Sequence, residues 1–149
     1  MRLLKILLVY PFGTGSPPLG MCLLAAELKK AGFTDVTLAD IVDDGYLGEQ
    51  IKSYKRTKEY FMERLREKPD VVKFSASVPT FKVVYDYAKI ARPYCKYIIF
   101  GGPHPTLFQQ KLLEVAPIID ILVYGEADLV IGELLSRLEK NDDLKGLNN

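Results

Sequence analysis

Short apolar runs alternate along the chain with longer stretches in which apolar residues recur at helical spacing. Residues 3–9 are almost continuously apolar, which is typical of a parallel strand that is buried on both faces. Four further apolar runs predict strands, at residues 35–40, 70–74, 97–100 and 118–124. The stretches of helical period predict five helices, at residues 19–31, 54–67, 81–91, 106–115 and 129–139.

This strict alternation of strand and helix predicts an α/β fold with right-handed crossovers and helices on both faces of a parallel sheet. We expect a Rossmann-like (flavodoxin-like), doubly wound five-stranded sheet of order 2-1-3-4-5. Ser16 is a candidate cap for the first helix, and Gly32 stands where a left-handed residue would end it. Residues 1–140 are predicted to form one domain, and the polar residues 141–149 a linker stub or disordered terminus.

Composition narrows the class of protein. With 149 residues, 48% of them hydrophobic, and 20 Lys+Arg against 19 Asp+Glu, the chain suits one domain and has no charge bias towards nucleic acid or an anionic membrane. No apolar run reaches the roughly 18 residues of a membrane-spanning helix. The apolar opening is interpreted as a strand rather than a signal peptide, so a cytoplasmic location is expected.

The two cysteines, Cys22 and Cys95, are far apart in sequence. They exclude a disulfide framework and any metal or iron–sulfur site made of clustered thiolates within this chain. Cys22 is predicted to be a small residue of the core, because it lies within an apolar helix. The charged stretch at 52–68 interleaves Lys and Arg with Glu, which favours a solvated helix over a nucleic-acid surface.

Ligands of such sheets bind outside the carboxyl ends of the strands. The segments expected there are 10–20, 75–81, 101–106 and 125–128, which are rich in Gly, Pro, Ser and Thr. The lone His104 and the carboxylates of Glu126 and Asp128 do not form the convergent acid–base set of a hydrolase, so no catalytic residue is predicted. The composition favours a large neutral or amide-rich ligand held by backbone and hydroxyl groups.

Each of these segments also has a purely structural interpretation. The hydroxyls between Ser75 and Thr80 could cap the next helix, or donate to a phosphate or ring nitrogen. The pair Gly101 and Gly102 could make a tight turn, or allow a close approach to a ligand. His104, flanked by prolines, is predicted to be exposed and not to bind a metal.

A phosphate-cradling loop of the FMN type is disfavoured at Gly13-Thr14-Gly15-Ser16. The prolines that follow it lack the amide donors that a phosphate needs at a helix start. A phosphoacceptor receiver domain is excluded as well, because Tyr10-Pro11 and Ser75 stand where that class of protein needs acids.

Taken together, four segments resemble the cobalamin-binding domain that precedes the catalytic domain in many radical-SAM enzymes. They are PPLGMCLLAAELKKAGF, PDVVKFSASVPTF, IIFGGPHPT and DILVYGEADLVIGELL, in register from about residue 3 to residue 138. The most telling pair is GGPHPT after one strand and the GE dipeptide after the next.

The resemblance implies a corrinoid over the strand ends, with its nucleotide tail entering beside the sheet. It implies these cofactor-binding residues: Pro18, Leu19, Gly20, Ser75, Ser77, Thr80, Gly101, Gly102, Pro103, His104, Gly125 and Glu126. The hydroxyl residues would line the tail pocket, and the adjacent glycines would leave room for the dimethylbenzimidazole. Pro103 and His104 would shape the loop around it. The first-loop residues Pro18, Leu19 and Gly20 would border the corrin or tail, and Gly125 and Glu126 would cap the far side.

Three features depart from the patterns of related domains. Domains of the methionine-synthase type carry an Asp-x-His-x-x-Gly run, whereas residues 10–20 contain neither histidine nor aspartate, so base-off cobalamin with no protein histidine ligand is expected. Lys73 stands where a small or apolar residue is usual. Ala127-Asp128 replaces the commoner Gly-Glu.

The chain lacks the Cys-x-x-x-Cys-x-x-Cys run that holds a [4Fe–4S] cluster. The cluster and S-adenosylmethionine are therefore expected only in a missing catalytic domain, C-terminal to this one. The chain alone is expected not to be catalytic, as a piece of a methyltransferase or related radical enzyme or as a stand-alone module. The alternatives are a flavodoxin-like flavin- or nucleotide-binding domain, and a degenerate domain used only for protein contact.

Overall fold

Five parallel strands form one sheet in this computed structural model, which describes residues 3–11, 18–41 and 54–147. The strands are β1 (Ile6–Pro11), β2 (Val36–Ile41), β3 (Val71–Ser75), β4 (Tyr97–Gly101) and β5 (Ile121–Leu122). Their order is β2-β1-β3-β4-β5, and every neighbouring pair is parallel. The predicted fold class and strand order are confirmed.

Six helices connect or follow these strands in the described part of the chain. They are α1 (Leu19–Lys30), α2 (Tyr54–Arg66), α3 (Phe81–Ala91), α4 (Pro103–Phe108), α5 (Gln110–Val115) and α6 (Ile131–Lys140). Two 3-10 turns, Arg92–Tyr94 and Ala127–Leu129, lie after α3 and before α6. No helix among the described residues is long and apolar enough to cross a membrane.

Both faces of the sheet are buried, which explains the continuous apolar runs. Because side chains alternate along a strand, Leu7 and Val9 of β1 join the core shared with α2 and α3. Ile6 and Leu8 point the other way, into the core shared with α1 and α6. The two helical layers therefore enclose the sheet and leave its carboxyl edge as the place for a ligand.

The helix predicted at 106–115 is two short helices, and it starts earlier than predicted. Pro103 opens α4 in the first turn, where proline is tolerated because its missing N–H has no helical partner. Gln109 adopts φ +47°, which is not helical, so α4 ends before it and α5 begins after it. The fifth strand is also shorter than the predicted 118–124, because only Ile121 and Leu122 pair with β4.

The end of α1 follows the prediction. Gly32 adopts φ +93°, and the N–H groups of Gly32 and Phe33 donate to the carbonyls of Lys29 and Leu28, each at 3.0 Å. The prediction for Cys22 is wrong, because its side chain is on the exposed side of α1. The candidate cap Ser16 lies outside the described residues.

The segment after α6 runs back along the domain. Leu144 and Leu147 pack against the core between α1, α6 and the sheet. Arg137 donates hydrogen bonds to the carbonyls of Asp143 and Lys145, at 3.1 and 2.9 Å. Residues 141–147 therefore add apolar contacts to the domain.

Candidate cofactor-binding site

A cavity of about 250 Å³ opens at the carboxyl ends of β3, β4 and β5, on the side covered by α1. The register pairs Ser75 with Gly101, so the loops that follow these two strands start side by side. Five of the residues predicted from the resemblance line this cavity: Gly20, Ser75, Gly102, Gly125 and Glu126. The structure thus brings together the start of α1 and the carboxyl ends of β3, β4 and β5.

The other two predicted hydroxyl residues do not line the cavity. Ser77 and Thr80 close a local turn before α3, in which the Ser77 N–H donates to Thr80 Oγ1 at 2.9 Å and the two hydroxyls are 2.9 Å apart. Thr80 occupies the cap position of α3 without a side-chain cap hydrogen bond. Their hydroxyls therefore stabilise the turn itself.

The absent side chains of Gly101 and Gly102 make room for the chain's own neighbours, and the room predicted there for the dimethylbenzimidazole stays a prediction. Gly102 adopts φ +103°, and a Cβ there would lie 2.9 Å from the carbonyl oxygen of Ala76. A Cβ on Gly101 would lie 3.3 Å from Cε of Lys73. These glycines let the chain's own neighbours approach closely, so the open space lies beside them, on the α1 side.

The turn after β4 is tied to the end of β3 by backbone hydrogen bonds. The Ala76 N–H donates to the Gly101 carbonyl at 2.9 Å, and the His104 N–H donates to the Ala76 carbonyl at 3.0 Å. Thr106 then connects this turn to the next one: its Oγ1 donates to the Gly102 carbonyl at 2.9 Å and accepts from the Gly125 N–H at 3.0 Å. These hydrogen bonds therefore connect the segments that follow β3, β4 and β5 to one another.

His104 is buried, so the prediction that it is exposed is wrong. Its ring is stacked on Phe81, with centroids 4.1 Å apart and planes 12° apart, and Phe108 lies on it at 4.5 Å. Burial lowers the pKa of the imidazole. The sequence could have indicated the contact between His104 and Phe108, because residues four apart lie on one face of a helix.

Lys73 also lines the cavity, although it is not among the cofactor-binding residues predicted from the sequence. It is 2% exposed, and its Nζ lies 3.7 Å from Sδ of Met21. Burial lowers the pKa of this amine to about 8. The available signal was a lysine within the strand VVKFS, whose neighbours predict burial on both faces.

Acidic groups lie at the opposite wall of the cavity. Glu126 is exposed, and Asp128, in the 3-10 turn, has a buried Oδ1 with no hydrogen-bond partner among the described residues. Within the described ranges, no group of three or more His, Cys, Asp or Glu residues could hold a metal ion. The cavity is therefore lined by one buried lysine, two acidic residues, apolar side chains of α1 and several small residues.

Comparison with known proteins identifies the class of domain. A family described as the B12 binding domain matches residues 6–135, which extend from the start of β1 into α6. The chain belongs to the B12-binding domain family. Membership confirms the resemblance to a cobalamin-binding domain, and the fold of this B12-binding domain is the one that the strand pattern predicted.

Three curated relatives resemble this B12-binding domain over most of its length. An uncharacterized methyltransferase, PH0819, of Pyrococcus horikoshii is 31% identical over 99% of the chain. Proteins named anaerobic magnesium-protoporphyrin IX monomethyl ester cyclase are 32% identical over 85% of it in Cereibacter sphaeroides and 29% identical over 83% in Rubrivivax gelatinosus. The chain spans 32%, 19% and 21% of the length of these relatives, respectively.

Proposed function

We propose that this domain binds cobalamin, with the nucleotide tail in the cavity between α1 and the ends of β3, β4 and β5. The observation that carries the proposal is the convergence of Gly20, Ser75, Gly102 and Gly125 on that cavity. These small residues, from the start of α1 and the carboxyl ends of three strands, line the cavity together with the first turns of α1, Lys73 and the 3-10 turn before α6. At its glycines, this slot accepts a flat ring without a large side chain in its path.

The volume of the cavity indicates which part of the cofactor it takes. At about 250 Å³ it is smaller than the roughly 300–1,000 Å³ of pockets that enclose a whole drug-sized ligand. The tail therefore enters the slot, and the much larger corrin ring lies outside it. The residues that line the cavity therefore fit a cofactor that is bound by its nucleotide tail.

Exposed apolar side chains supply a surface for the corrin ring. Leu19 begins α1, Val78 follows β3 and Tyr124 follows β5, so all three lie at the carboxyl edge of the sheet. They are 77%, 57% and 51% exposed. Exposed apolar residues at a ligand edge are favourable for docking a large ring.

The only histidine is not available as a lower ligand of the cobalt. His104 packs on Phe81, which joins the core shared with α2 and α3, whereas the cavity lies on the α1 side of the sheet. The proposal is therefore base-off cobalamin without a protein imidazole on the cobalt. When bound, cobalamin supplies organometallic chemistry, with reactivity tuned by its axial ligands.

We further propose that the domain serves a cobalamin-dependent radical-SAM enzyme, a methyltransferase or an enzyme of related radical chemistry, in the cytoplasm. The support is the set of four motif segments, the relatives named methyltransferase and cyclase, and the small share of those relatives that the chain spans. The [4Fe–4S] cluster and S-adenosylmethionine would then be held by a catalytic domain C-terminal to residue 149.

The proposal is tested by incubating the protein with hydroxocobalamin, removing free cofactor by desalting, and recording the absorption spectrum. Retained corrinoid with a base-off spectrum is the expected result. Retained base-on bands would contradict the placement of the tail in the slot. Absence of binding near the micromolar range would favour the degenerate domain, and retention of FMN in a parallel sample would favour the flavin-binding alternative.

A further inference from the structure

Lys73 is the only charged residue with a buried side chain among the described residues. On β3 it lies between Leu8 of β1 and Ile99 of β4, in the interior of the sheet. Its side chain leaves the sheet on the α1 side and runs past Gly101, where a Cβ would lie 3.4 Å from Nζ. The side chain therefore extends towards the carboxyl edge of the sheet, and Lys73 lines the cavity there.

The amine of Lys73 lies beside Gly101, the residue that pairs with Ser75 across β3 and β4. Lys73 precedes Ser75 by two residues on the same strand face, which places its backbone about 7 Å further from the carboxyl edge. Both residues line the cavity. The side chain extends back over that distance, because Nζ reaches Gly101, so a tail that enters from the edge meets Ser75 and the amine at about the same depth.

The amine has unused hydrogen-bonding capacity. Its polar contact among the described residues is the Sδ of Met21 at 3.7 Å, and a thioether is a weak acceptor. Glu126 and Asp128 line the same cavity, but neither forms an ion pair with it. A buried donor without a good acceptor is costly, so a ligand that brings an acceptor to this point gains affinity.

We propose that Lys73 selects the corrinoid by its lower base, and that this domain prefers a corrinoid with a purine-type base over cobalamin itself. This inference rests on the proposed function. The six-membered ring of dimethylbenzimidazole carries two methyl groups and no acceptor, so it leaves the Lys73 donors unmet. The six-membered ring of a purine carries acceptor nitrogens, and the amine donates to one of them.

The test compares three corrinoids by equilibrium titration at one pH: an adenine-based cobamide, cobalamin, and cobinamide, which has no nucleotide tail. Wild type is expected to bind the adenine-based cobamide about tenfold more tightly than cobalamin, the ratio that one additional charged hydrogen bond gives. Lys73→Met, which has a similar length and no donor, should abolish or reverse this ratio. Lys73→Gln, which retains N–H donors, should keep part of it.

Cobinamide provides the internal control. Its affinity should be the same for wild type and Lys73→Met, because it has no base to reach the amine. Equal affinities of wild type for the two complete corrinoids, an unchanged ratio in Lys73→Met, or a matching loss of cobinamide affinity would overturn the inference. If no corrinoid binds to the wild type, it is the proposed function that fails.

Discussion

Phe81 and His104 form a parallel stack, with ring centroids 4.1 Å apart and an interplanar angle of 12°. The stack joins the first residue of α3 to the second residue of α4, so it connects the segments that follow β3 and β4. Nδ1 of the imidazole is buried and has no hydrogen-bond partner among the residues that the structure describes. The stack thus favours the neutral ring.

Stability should fall in acid because of this histidine. Burial lowers the folded-state pKa of His104, so below about pH 6.5 the unfolded chain binds more protons than the folded one. The free energy of unfolding is therefore retained above that pH and lost as the pH falls through it. Urea denaturation at pH 7 and pH 5 should show a larger loss for wild type than for His104→Phe. Equal losses in the two proteins would contradict the assignment.

Lys73 should produce the complementary effect in alkali. Its pKa is about 8 in the folded state, against about 10.4 in an unfolded chain, so between these values the unfolded state binds more protons and stability rises with pH. Lys73→Met lacks this rise, because it has no amine to titrate. The difference in unfolding free energy by which the variant exceeds wild type at about pH 7.5 should therefore shrink by up to about 3 kcal/mol by about pH 10.5, as measured by denaturation across this range. A constant difference would show that the amine titrates normally.

Gly102 and Gly20 form a matched pair for substitution by alanine. At Gly102 the positive φ and the 2.9 Å approach to the Ala76 carbonyl both oppose a Cβ, so Gly102→Ala should destabilise the domain by roughly 1–3 kcal/mol. At Gly20, in α1, a Cβ would meet nothing within 4 Å, so Gly20→Ala should be stabilising by about 0.5–1 kcal/mol. The two changes in unfolding free energy should therefore have opposite signs.

A larger residue at Gly20 tests the cavity as the site of the tail. Leucine there adds a large side chain at a residue that lines the cavity and should weaken hydroxocobalamin binding by at least about tenfold, which spectroscopic titration can measure. Ala26→Leu, on an exposed position of the same helix, is the control and should bind as wild type does. Unchanged affinity in Gly20→Leu would mean that the tail lies elsewhere.

The sequence predicted the order of the strands and most of their positions. Apolar runs such as 3–9 and 70–74 are local signals, because burial on both faces removes the polar positions from a strand. Where pairing depends on a neighbour, prediction was weaker: β5 is limited to the two residues that meet β4 in register. Gln109 breaks the predicted fourth helix because its backbone adopts φ +47°, which no apolar periodicity signals.

The sequence alone determined the fold class and the family resemblance, since both depend on short segments and their order. Only the tertiary structure decided that His104 is buried, that neighbours fill the space at Gly101 and Gly102, and that Lys73 reaches the cavity. The physical reason is that a side chain's surroundings come from elements distant in sequence. The amine of Lys73, for example, meets a methionine 52 residues away along the chain.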